Sequence, residues 1–117
     1  VRRRLNVLLT IDVAHPPRHP DTVEEELLRA LTRVRSSPEL RVLKIIHGYG
    51  SRGRGGSTRD TVRNFLFRHR NRFRRMIEGE RLGLQDPDTM TMLRDLGDAP
   101  GVDLWAENPG VTIVWVK

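Results

Sequence analysis

A chain of 117 residues is the size of one domain, able to bury a single core but not to house two nucleotide-binding halves. It has no cysteine, which excludes disulfides and thiolate metal sites, and no apolar run near the roughly 18 residues that cross a bilayer, so the expectation is a soluble cytoplasmic protein with no membrane partner. The net charge of +6 is carried by arginine, with Lys44 and Lys117 the only lysines, a composition suited to bidentate phosphate contacts.

No charged-then-apolar leader precedes the first element, and the chain opens on Val1, as in a processed or excised domain. From Leu5 the sequence alternates: Leu5, Val7, Leu9, Ile11 and Val13 share one face, Asn6, Thr10 and Asp12 the other, the period of a strand. Three prolines in HPPRHPD end it. A helix follows, with Asp21 or Thr22 as cap and Val23, Leu27, Ala30, Leu31 and Val34 at helical spacing; Ser36-Ser37-Pro38 stops it. Val42, Leu43, Ile45 and Ile46 then form the near-continuous apolar run of a central strand, so strand, helix and strand imply a right-handed parallel crossover.

Beyond His47 a glycine- and arginine-rich loop leads to a second helix, capped by Ser57 and presenting Val62, Phe65, Leu66 and His69 inward. The segment from Arg72 to Glu78 reads as a third strand or a continuation of the helix, since Phe73, Met76 and Ile77 also fit a helical period, and the strand is preferred. A short helix is expected from Pro87 to Leu96, with Asp86 as cap and Gly97 past its end. Pro109-Gly110, the central pair of an expected type II turn, feeds a last strand, VTIVWV. Trp105 and Trp115 read as hydrophobic anchors. The predicted fold is one α/β domain over residues 1–117, a two-layer sandwich with a mixed sheet of about four strands in the order β-α-β-α-β-(α)-β.

The charge is not spread evenly. Residues 41–81 hold twelve Lys/Arg against three Asp/Glu, and this basic third contains the loop from His47 to Gly56. Open α/β sheets bind ligands beyond the carboxyl ends of their strands, where this loop falls. Gly48, Gly50 and Gly53 satisfy a dinucleotide fingerprint, with Glu78 as ribose ligand, but Arg54-Gly55-Gly56 still separate Gly53 from the helix cap. Gly50, Gly55 and Ser57 echo a phosphate-binding P-loop, yet Gly56 stands where its lysine belongs. A nucleic-acid backbone site asks only for what is present: glycines that permit close approach, amide donors, and Arg52, Arg54, Arg59 and Arg63 to straddle phosphates, with Tyr49 beside them as a base-stacking ring or a packed loop anchor.

The stretches LKIIHGYGS, RGRGG before a helix, and ENPGVTIV resemble the Smr (small MutS-related) domain, in its small stand-alone bacterial form, over most of the chain. The resemblance implies a fold similar to the C-terminal domain of the third bacterial translation initiation factor, and nucleic-acid binding with nicking endonuclease or ribonuclease activity. His47-Gly48-Tyr49-Gly50 matches the family's H-G-x-G motif. The L-D-x-H motif is met only in part by Ile11-Asp12-Val13-Ala14, with the histidine displaced to His15, and residues 81–109 form an insertion.

Phosphodiester cleavage needs proton transfer and compensation of charge on the phosphate oxygens. His47 is the expected acid or base, Asp12 is expected to orient it or hold a cation, and His15 is a reserve partner. The nucleic-acid contacts expected are Gly48, Tyr49, Gly50, Arg52, Arg54, Gly55, Gly56, Arg59 and Arg63. No pair of carboxylates converging on a metal is visible, which leaves metal-free RNA chemistry or a divalent cation such as magnesium brought mostly by the substrate. Two alternatives stand beside catalysis. In the first, His47 is a core residue with satisfied nitrogens and the chain grips nucleic acid without cutting it. In the second, the chain docks an acidic protein.

Overall fold

The computed structural model describes residues 6–49, 57–97 and 106–117. Four strands, β1 (Leu8–Asp12), β2 (Val42–Ile46), β3 (Arg75–Glu78) and β4 (Val111–Trp115), alternate with three helices, α1 (Pro20–Ser36), α2 (Thr58–Arg68) and α3 (Pro87–Leu96). The sheet order is β1-β2-β4-β3, with β1 parallel to β2 and β4 antiparallel to both its neighbours. This is an α/β domain with a mixed four-stranded sheet. The two central strands are the most apolar, and every residue of β4 is buried.

The helix boundaries follow from capping. Ser57 accepts the Asp60 N–H at 3.1 Å and Asp86 accepts the Thr89 N–H at 2.9 Å, both as expected, and Gly97 ends α3 with φ +64°. At α1 the expected cap is corrected. Pro20 has its φ preset for a first helical position, so the helix begins there and His19 Nδ1 accepts the Asp21 N–H at 3.1 Å. The third strand starts at Arg75 rather than Arg72, because Arg70–Arg72 form a 3-10 turn that extends α2.

Pleat alternation divides the side chains between two cores. On one face Leu43, Ile45 and Val114 pack with Val23, Leu27, Leu31 and Val34 of α1 and Val62, Phe65 and Leu66 of α2. His69 caps α2, its ring 4.2 Å from that of Phe65. On the other face Val42, Ile77, Ile113 and Trp115 pack with Leu82 and with Met92 and Leu96 of α3. The expected two-layer sandwich is therefore corrected. Residues 87–96 supply a helix, α3, whose apolar stripe covers a sheet face that would otherwise meet water, and each fully buried side chain there contributes roughly 1.5–3 kcal/mol. Among the described residues no helix is long and apolar enough to cross a membrane.

The turn into β4 also differs from expectation. Val111 N–H bonds to the Asn108 carbonyl at 3.2 Å, but Gly110 does not have the positive φ that a type II turn requires. Its missing side chain serves close approach instead: a Cβ there would lie 3.2 Å from Asn108 Oδ1 and 3.7 Å from the Gly48 Cα. The Asn108 turn thus packs directly on the start of the glycine loop.

Candidate active site

The carboxyl ends of β1 and β2 lie side by side, with Asp12 opposite Ile46 and the Val13 N–H bonded to the Ile46 carbonyl at 3.0 Å. Asp12 ends β1 and faces the same side of the sheet as Lys44 and Ile46. His47, one residue beyond Ile46, faces the other side with Ile45. The two residues expected to act together are therefore separated by the sheet itself, and the structure does not bring Asp12 to His47.

Asp12 holds His15 instead. Nδ1 of His15 is 2.9 Å from Asp12 Oδ2 and 3.1 Å from Oδ1, so the ring donates Nδ1–H to the carboxylate. Nε2 makes no hydrogen bond among the described residues, and the His15 side chain is 70% exposed. Asp12 Oδ1 also accepts the backbone N–H groups of Ala14 at 2.9 Å and His15 at 3.0 Å. Slight burial raises the Asp12 carboxyl, but these bonds outweigh it and hold the group below its ordinary value. Arg18 fixes the strand end from outside, donating to the Asp12 carbonyl at 2.8 Å. Next to this pair is an open cleft of about 250 Å³, lined by His15, Lys44, Gly48, Tyr49, Asn108 and Gly110 among others. Tyr49 is 69% exposed, and Gly48 has φ +78°, a backbone turn that favours glycine.

His47 is 2% exposed and both of its ring nitrogens are engaged. Nδ1 lies 2.6 Å from the Gly48 carbonyl, which can only accept, so Nδ1 carries the proton. Nε2 then accepts from the Thr112 hydroxyl at 2.8 Å. Thr112 in turn accepts Nε–H of Arg63 at 3.1 Å, and the Arg63 guanidinium reaches Glu78 at 3.0 Å and Glu80 at 2.7 Å. Burial pushes the His47 imidazole below its ordinary value, and the nearby charges of Arg63 and Arg59 act the same way against the opposing Gly48 bond. The two bonds hold the ring in one tautomer, and burial favours its neutral form.

This network reassigns Arg63. Expected among the phosphate ligands, it is largely buried and divides its donors between Thr112, Glu78 and Glu80, and its guanidinium in turn holds the Glu80 carboxyl below its ordinary value. Glu78, the ribose ligand of the fingerprint reading, is engaged here too. Arg59 is half-buried near His47. Gly50, Arg52, Arg54, Gly55, Gly56 and Trp105 lie outside the described residues. Sequence reasoning missed Lys44, Asn108, Gly110 and Thr112. Thr112 left a signal, as the one polar residue in VTIVWV, since a hydroxyl inside a fully buried strand requires a partner.

Among the described residues no cluster of three or more His, Asp or Glu side chains is placed to hold a metal ion. A second groove of about 360 Å³ lies between β1 and α1, where Leu9, Ile11 and Ala30 meet Glu26, Arg29 and Arg33, away from both histidines. Comparison with family models, with curated proteins and with solved structures gave no match to this chain.

Proposed function

We propose that the chain is a nucleic-acid-binding domain that cuts phosphodiester bonds in structured DNA or RNA, with His15 as the proton-transferring group and Asp12 as its orienting carboxylate. The observation that carries this reading is the Asp12–His15 pair beside a cleft shared with Lys44, Gly48 and Tyr49. The carboxylate fixes the tautomer that leaves the Nε2 lone pair free to take a proton from an attacking hydroxyl. Lys44, on the wall of the cleft, gives the cationic setting that a phosphodiester needs. The Smr resemblance remains the frame of this reading, with the acid–base role moved from His47 to His15. His47 becomes a positioning residue that ties Gly48 to β4.

The test is nicking of supercoiled plasmid and cleavage of structured RNA by the native chain and its variants. His15→Ala and Asp12→Asn should each lower the rate about 10²- to 10⁴-fold without loss of binding. Undiminished cleavage by His15→Ala would end the assignment. A second reading has its own support: Asp12 accepts two backbone N–H bonds, as a turn-capping aspartate does. On that reading the domain grips the phosphate backbone without cutting it, and the native chain binds but never cleaves.

A further inference from the structure

Asp60, Asn64, Phe67 and Asn71 follow one another at helical spacing along the water-facing stripe of α2 and its continuation. Phe67 departs from that polar pattern and is 63% exposed. The guanidinium carbon of Arg70 sits 4.4 Å from its ring centroid, and Arg70 Nη1 donates to the Phe67 carbonyl at 2.8 Å, which pins the cation over the ring. With Arg70 in place Phe67 is still largely exposed, which leaves it accessible to a further partner.

The charges on α2 and on the segment after it are unevenly compensated. Arg68 pairs with Glu24, Arg74 with Asp95 and Arg75 with Asp88. Arg70 and Arg72 are exposed and have no carboxylate within ion-pair distance among the described residues. An exposed aromatic residue with one uncompensated guanidinium over its ring, and a second exposed one two residues further on, has the chemistry of a base-stacking platform: an apolar surface for a nucleobase, and donors for the neighbouring phosphates.

We propose that Phe67, Arg70 and Arg72 form a second nucleic-acid contact, which stacks an unpaired base on the phenyl ring and holds its flanking phosphates. The proposal rests on the nucleic-acid reading above and names its substrate class, a nucleic acid with a single-stranded segment. Helix α2 is capped by Ser57, so the platform lies about 15 Å along the helix from that cap. Bases in a duplex are already stacked on their neighbours, so the ring gains nothing from a blunt double helix.

Fluorescence anisotropy tests this with labelled single strands of about 16 nucleotides, DNA and RNA, with the blunt duplex of the same sequence, and with an oligoglutamate peptide. Phe67→Ala should weaken single-strand binding about 5- to 100-fold and leave duplex binding unchanged. Phe67→Trp should keep or tighten it. Arg70→Ala/Arg72→Ala should weaken both forms and make the salt dependence shallower by about 1.4 in slope on a single strand. Circular dichroism checks that each variant stays folded. If the native chain binds single strands and Phe67→Ala equals it, the platform is wrong while the nucleic-acid reading stands. If the native chain binds no nucleic acid, both fall. If only oligoglutamate binding depends on these three residues, the surface belongs to an acidic protein and the proposal is overturned.

Discussion

His47 Nε2 and the Thr112 hydroxyl are 2.8 Å apart, joining two central strands through residues 65 positions apart in the chain. The hydroxyl donates to the ring and accepts from Arg63, so one side chain satisfies two buried groups at once. Thr112→Val keeps the shape and removes both bonds. It should destabilise the fold by about 1–3 kcal/mol, because it leaves buried polar atoms unpaired, while Thr112→Ser should restore most of the loss. Urea denaturation of the three proteins measures this.

His47 also sets a pH dependence. Its folded-state pKa lies below the ordinary value, chiefly through burial, whereas in the unfolded chain it titrates near about 6.5. The unfolded state therefore binds more protons as pH falls through that region. The contribution is complete above pH of about 6.5 and is lost progressively as pH falls towards the depressed folded value. Urea midpoints should drop from pH 7.5 to 5.5, about neutral to mildly acidic, and His47→Gln should flatten the decline. An equal decline in the variant would refute the assignment. The Asp12, Glu80 and Asp86 carboxyls are also held low, and what they contribute is lost in a separate window below a pH of about 4.

Gly79 has no room for a side chain. A Cβ there would run into the backbone carbonyl oxygens of Asn108 and Val111, on the turn that leads into β4. Its own carbonyl accepts the Asn108 N–H at 2.8 Å, so displacing it disturbs that turn and the cleft wall beside Gly48. Gly79→Ala should cost at least about 1–3 kcal/mol. Differential scanning calorimetry should show a lowered Tm.

Helix α3 is core rather than appendage. Met92 is fully buried against the sheet face opposite α1 and α2. Met92→Ala should destabilise by about 2–5 kcal/mol, with Leu96→Ala in the same direction. A single cooperative unfolding transition in both variants is the accompanying expectation. Separate melting of residues 81–97 in the native chain would contradict it.

What the sequence determined by itself was local. Alternation of Leu9, Ile11 and Val13, helical spacing in α1 and α2, and the Ser57, Asp86 and Gly97 caps were all legible, because each depends on residues within a turn or two of one another, whereas Val7, expected on the same face, packs with Val42 in the other core. The position of the Asp12 and His47 ends beside each other was legible too, since two parallel strands joined by a helix must bring their carboxyl ends together. Tertiary structure alone decided which side of the sheet each side chain takes. A phase difference of one residue between Asp12 and His47 sends one to open water and the other beneath α2, and no local pattern compares the pleats of two separate strands. It likewise decided that Arg63 meets Glu78 and Glu80, that Thr112 completes the His47 ring's bonds, and that α3 covers a second face. Those contacts join segments distant in sequence, and they form only when burial forces each polar group to find a partner and each apolar stripe to find a surface.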